Sequence, residues 1–140
     1  MNYDKCTIAT RDSTVVLKEN RSKFEIHNKA KQKIHKIQVD GCLIGDEHEK
    51  CDWIVTVEDA DKKRALFIEL KGCQLDKAIS QLRTTLQLTA ERFAHHEKEC
   101  YAVTTRVPKH GTSVRKLALD FFNKTNSPLS VKNEICSIHL

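Results

Sequence analysis

The chain has 140 residues, the size of one ordinary domain. Hydrophobic residues make up 39% and charged residues 31%, with only 4 Gly and 2 Pro, which excludes a disordered, fibrous or low-complexity chain. Lys and Arg outnumber Asp and Glu by 24 to 19, and this net +5 suits a nucleic-acid partner while excluding a polycationic tail.

The first 23 residues give weak signals: Thr14–Leu17 is a short β-like run and Lys18–Lys23 a charged turn. Phe24–His27 and Ile34–Val39 look like two strands, and the polar stretch Asn28–Lys33 between them predicts a hairpin. Asp40-Gly41 ends the second strand, and Gly45–Lys50 is a loop. Trp53–Glu58 and Ala65–Leu70 are the clearest strands, joined by the charged turn 59–64. Apolar residues spaced by three and four predict a helix from about Leu75 to His95, with Leu88 off the stripe. Cys100–Thr105 reads as a buried strand, Ser113–Lys124 as a helix and Leu129–Leu140 as a final β segment. This succession predicts an α/β (α+β) fold, a sheet covered by helices.

The six cysteines are Cys6, Cys42, Cys51, Cys73, Cys100 and Cys136, with no CxxC pair. The opening MNYDKCTIATRDS has no basic region followed by an apolar run, and no stretch approaches the ~20 apolar residues of a membrane span. A cytoplasmic protein with reduced, buried thiols is therefore expected. His48 and Cys51 have HxxC spacing, and His95, His96 and Cys100 lie close together. Neither set carries a second ligand pair, which leaves zinc poorly supported.

Three charged groups sit at the ends of the two clearest strands: Asp52, Glu69 and Lys71. Charges there are costly unless paired or used. A turn centred between Asp61 and Lys62 would set Trp53 opposite Leu70, Val55 opposite Ile68 and Val57 opposite Leu66, one continuous apolar face. The same register would set Asp52 opposite Lys71 and Ile54 opposite Glu69 on the other face. Two carboxylates meeting at a strand end suit a hard divalent cation such as Mg²⁺ or Mn²⁺, with the Leu70 carbonyl as a further ligand. A neighbouring lysine can orient a nucleophilic water and stabilise developing phosphate charge.

Asp52, sixteen residues, then Glu69-Leu70-Lys71 resembles the PD-(D/E)xK signature of the restriction-endonuclease-like nucleases. The hairpin, the following helix and the next strand extend the resemblance over about residues 34–106 of a single 1–140 domain. The resemblance implies a mixed central sheet flanked by helices and Mg²⁺-dependent phosphodiester hydrolysis. It implies Asp52 and Glu69 as metal ligands and Lys71 assisting the water. The Pro before the Asp is replaced by Cys51. The N-terminal helix that often carries another acid is not evident, which leaves Glu19, Glu25 and Asp40 as nominal candidates, with Asp40 preferred at its strand end. Gln81 matches the Gln of a QxxxY motif found in some relatives, with Thr85 where the Tyr would stand.

Lys29, Lys31, Lys33 and Lys36, with Arg106, Lys109 and Arg115, are candidate phosphate contacts, against the plainer reading of solvated surface. Trp53 belongs to the apolar face rather than to a base-stacking platform. The expected function is DNA cleavage in repair, restriction or phage defence, with a dimer for cutting both strands. The alternative is a nuclease-like fold that cuts nothing and serves as a nucleic-acid-binding or assembly subunit.

Overall fold

A computed structural model describes residues 1–59, 61–70, 74–105 and 113–140. In chain order the elements are α1 (Tyr3–Cys6), β1 (Thr7–Thr10), β2 (Thr14–Glu19), β3 (Ser22–His27), β4 (Ile34–Gln38), β5 (Trp53–Asp59) and β6 (Lys62–Glu69). They continue with α2 (Leu75–Leu88), β7 (Glu97–Thr104), α3 (Val114–Thr125), β8 (Leu129–Asn133) and β9 (Ile135–His139). The fold is mixed α+β. Six strands form one sheet in the order β1-β4-β5-β6-β7-β8, and three form a second in the order β2-β3-β9. Both sheets are mixed, with β6-β7-β8 parallel in the first and β3-β9 parallel in the second.

The larger sheet is buried on both faces. Ile37, Ile54, Ala65, Phe67, Cys100 and Ala102 pack under α2 and α3 with Leu82, Phe93 and Phe121. Val55, Val57, Leu66, Ile68, Leu70 and Val103 face the second sheet, where they meet Val15, Leu17, Phe24 and Ile26. This is why β6 and β7 read as near-continuous apolar runs rather than alternating ones. Trp53 joins the second face as a partly buried residue, in keeping with its core reading.

Three local expectations are corrected. The strands at 24–27 and 34–39 do not form a hairpin with each other: β3 pairs with β2, and β4 with β1 and β5, in different sheets. The connection between them crosses layers and is held by Asn28, which is 0% exposed. Its Nδ2 donates to the carbonyls of Asp12 and Gln32, and its Oδ1 accepts from the Gln32 N–H. The long helix stops at Leu88 rather than His95, because Thr89 turns back on Thr85 with both its N–H (3.0 Å) and its hydroxyl (2.7 Å). The final β segment is two strands, split at Glu134, whose φ of 62° swings the chain from one sheet to the other.

Two of the cysteines expected as buried thiols, Cys6 and Cys42, form a disulfide that ties α1 to the turn after β4. Cys51, Cys100 and Cys136 are free and buried. Cys73 lies outside the described residues. Among the described residues no helix is long and apolar enough to cross a membrane.

At the far end of β6, Arg64 makes a two-pronged ion pair with Glu99 of β7 (2.8 and 2.9 Å), and the Tyr101 hydroxyl donates to the same carboxylate at 2.8 Å. Burial opposes ionisation of Glu99, but these hydrogen bonds and the guanidinium charge outweigh it and hold the carboxyl below its ordinary range. A lowered folded pKa means the contribution is complete above the unfolded value and is lost as pH falls through the folded one. Glu99→Gln is expected to cost roughly 1–2 kcal/mol at neutral pH. That deficit should shrink below about pH 4, near the ordinary glutamate value. Urea melts of both proteins across that range check it.

Candidate active site at the open end of the β5–β6 hairpin

The hairpin register differs from the expected one by two residues. Trp53 pairs with Ile68, Val55 with Leu66 and Val57 with Arg64, because the strands continue into the charged stretch as far as Asp59 and Lys62. A slip of two keeps every side chain on its expected face, whereas a slip of one would have inverted them. The apolar face therefore survives intact. On the other face the register, carried one step past Trp53–Ile68, sets Asp52 directly opposite Glu69 rather than Lys71.

The two carboxylates lie under the helical layer at the open end of the hairpin, Asp52 4% and Glu69 1% exposed. Asp52 precedes β5. Its N–H donates to the Ile68 carbonyl at 3.1 Å, and its own carbonyl accepts from the N–H groups of Val39 (3.0 Å) and Asp40 (3.4 Å). Its Oδ2 accepts from the Leu70 N–H at 2.7 Å, a charge-assisted bond that fixes the carboxylate against the end of β6. Glu69 closes β6 and pairs with Ala102 of the parallel strand β7. Burial, with the negative charges of Glu69 and Asp52 beside it, pushes the Cys51 thiol far up, so Cys51 stays protonated and is not a nucleophile. Cys51 is 0% exposed, a packing residue.

Lys71 lies outside the described residues, as do Arg106 and Lys109. Gln81 is on α2 and half-buried, and its backbone carbonyl accepts from the Thr85 hydroxyl at 2.8 Å. Thr85, expected only as a departure from the QxxxY pattern, proves to be a structural tie. Fully buried, its hydroxyl also accepts from the Cys51 N–H at 2.8 Å, which pins α2 to the residue before Asp52. Glu49 adds a second tie, accepting from Ser80 (2.6 Å) and Thr84 (2.8 Å) of α2. Those two bonds outweigh its slight burial and hold its carboxyl below the ordinary range. The signal for both lay in a run of small hydroxyls, Ser80, Thr84, Thr85 and Thr89, at helical spacing. Thr85→Val is expected to cost about 1–3 kcal/mol, because it strands a buried N–H. A thermal melt measures the loss.

Asp40 is near Asp52 through the backbone, but its carboxylate lies 3.9 Å from Lys50 Nζ. That ammonium also donates to the Gly45 and His48 carbonyls and to Asp46. Glu19 and Glu25 belong to the second sheet, on β2 and β3. Among the described residues no three His, Cys, Asp or Glu side chains form a group that could hold a metal ion. Of the expected ligands, Asp52, Glu69 and Leu70 are the ones the hairpin brings together.

The basic candidates are divided between the two ends of the sheet. Ile34 pairs with Val57, so Lys29, Lys31 and Lys33 come before β4 at the end away from Asp52, and Lys36 stands opposite Val55. Arg115 is exposed in the first turn of α3. That helix returns the chain between the parallel strands β7 and β8, so it starts towards the Glu69 end.

No family model, no curated protein and no solved structure matches this chain.

Proposed function

We propose that the chain is a metal-dependent nuclease of restriction-endonuclease-like architecture, hydrolysing phosphodiester bonds of DNA. The observation that carries this reading is the juxtaposition of two almost fully buried carboxylates, Asp52 and Glu69, at the open end of one hairpin. Burying like charges together is unfavourable in a fold maintained for stability alone, and it is the arrangement a shared divalent cation compensates. The succession β5, β6, α2, β7 supports the reading, since it is the hairpin–helix–strand order of the nuclease core.

The donor set fits Mg²⁺ or Mn²⁺, which are held through one or two carboxylates and keep several waters. Asp52, Glu69 and the Leu70 carbonyl would hold the ion. When bound, it supplies a water of lowered pKa and neutralises charge on the phosphate. The chain's own residues do the rest. The Leu70 N–H holds one oxygen of Asp52 and leaves the other for ligation. Thr85 and Glu49 brace α2 against the segment that carries Asp52. Lys71 would orient the attacking water and Gln81 would contact it or a phosphate oxygen.

A non-cutting relative of such enzymes, serving in nucleic-acid binding or assembly, is favoured by one observation: Lys50 stands beside Asp40, the nearest further acid. Incubating plasmid, single-stranded DNA and RNA with Mg²⁺ or Mn²⁺ separates the readings. Metal-dependent cleavage that disappears in Glu69→Ala and Lys71→Ala supports the enzyme. Binding with no cleavage of any substrate sinks it.

A further inference from the structure

A second candidate site lies at the other end of the same strands. Glu58, six residues along β5 from Asp52, stands roughly 20 Å away at the strand rise. Two adjoining cavities meet there, of about 450 and 560 Å³, within the range of small-molecule sites. His35 and Glu58 line both, so the cavities form one groove.

The two halves differ in chemistry. The rim of one carries Arg11, Lys31 and Lys33, three cations against the single carboxylate of Glu58. The other half is walled by Tyr3, Phe93 and Ile37 and edged by Thr7, Thr56 and His96, with the charged Asp4 and Arg92 also on its lining. Each half also holds a buried polar atom with no hydrogen-bond partner among the described residues: Gln32 Oε1 in the basic half and His96 Nδ1 in the aromatic half. Buried polar atoms are normally satisfied, and two in one groove point to a ligand that satisfies them. Burial, with Lys63 and Lys98 nearby, lowers the His96 pKa and favours its neutral imidazole, which can give or take a hydrogen bond.

The basic rim is built before any ligand arrives. Asn28 locks the 28–32 loop to the 12–13 segment. Arg11 donates to the Lys31 carbonyl at 3.4 Å, and Lys31 is held at φ 52° with its N–H on the Asn28 carbonyl. Arg92, on the lining of the aromatic half, is stacked 4.2 Å over the Tyr3 ring.

We propose that this groove binds a ribonucleoside monophosphate, with the phosphate at Arg11, Lys31 and Lys33, the ribose hydroxyls on Glu58 and the base in the half edged by His96. The order of groups along the groove matches the order of groups in the ligand. Cations recognise the phosphate, and a carboxylate placed next accepts from a vicinal diol. Donors and acceptors beside aromatic walls, Asp4 and Arg92 among them, suit a base edge. The site is independent of the nuclease reading, since binding is measured without cleavage. The nucleotide can be free or the phosphorylated end of an RNA strand.

The test titrates the full chain, in EDTA, with AMP, GMP, CMP and UMP, their deoxy counterparts, inorganic phosphate and a short 5′-phosphorylated RNA. Saturable one-to-one binding of a ribonucleotide, weaker for the deoxy form, is expected. Arg11→Ala/Lys33→Ala, both exposed positions, should weaken it at least tenfold with an unchanged thermal melt. Glu58→Gln should bring the ribose and deoxyribose forms to equal affinity. An RNA that outcompetes its own terminal mononucleotide at these residues assigns the strand end as ligand, and equal affinity assigns the free nucleotide. Inorganic phosphate binding as tightly as any nucleotide, no ribonucleotide binding at millimolar concentration, or indifference to both sets of variants overturns the proposal.

Discussion

Glu69→Ala is expected to abolish metal-dependent DNA cleavage, a loss of at least ~100-fold. The activity loss follows from removing half of a two-carboxylate set, where even outer-shell changes cost ~10–100-fold. Glu69 is 1% exposed and opposite Asp52, so Glu69→Gln, which preserves volume and removes the charge, should lose cleavage as fully. Asp52→Asn should lose activity too while keeping its bond to the Leu70 N–H, because an amide oxygen replaces the carboxylate as acceptor. Cleavage retained in both variants would contradict this account.

The largest stability effect is expected for Phe24→Ala, about 3–5 kcal/mol. Phe24 is 0% exposed between the sheets, with its ring edge-on to Tyr101 at 4.9 Å. It belongs to β3, the central strand of the smaller sheet, and so touches the only layer covering that face of β5, β6 and β7 among the described residues. Chemical denaturation measures the loss. Tyr101→Phe serves as a milder control that keeps the ring and removes only its bond to Glu99.

The candidate site was legible because alternation is a local property. Val55, Val57, Leu66 and Ile68 announce their face from spacing alone, and Asp52 and Glu69 fall on the other by parity. The exact register was hidden by charge. Residues 59–64 look like a loop, yet the ladder runs on to Asp59 and Lys62 and sets Glu58 opposite Lys63, an opposite-charge pairing that extends a strand beyond its covered core. The shift of two residues puts the two acids, Asp52 and Glu69, face to face.

Sheet membership was not legible, because pairing partners lie far apart in the chain. Phe24–His27 and Ile34–Val39 are neighbours in sequence and strangers in space, separated by the bonds of Asn28 to residues 12 and 32. A nearer clue was available: Val15 and Leu17 alternate in step with Phe24 and Ile26, and Asn20, at φ 50°, is a residue type that accepts the turn between them. Thr85 illustrates the opposite failure. Against the QxxxY pattern Thr85 is only a missing tyrosine, while its buried hydroxyl is what couples α2 to the Asp52 segment.

The parallel pairing of β3 with β9 has a temporal consequence. Residues 22–27 find their second strand neighbour only in residues 135–139, more than a hundred positions later. During synthesis the β2–β3 hairpin can close early, but one edge of β3 stays open until nearly the whole of this chain has emerged. The face of the larger sheet that carries Val55, Ile68 and Leu70 is incompletely covered over the same interval. Long-range strand pairing is slow and leaves edges open to other chains. The late-arriving β9, rather than the β5–β6 hairpin, is therefore where folding yield should be won or lost.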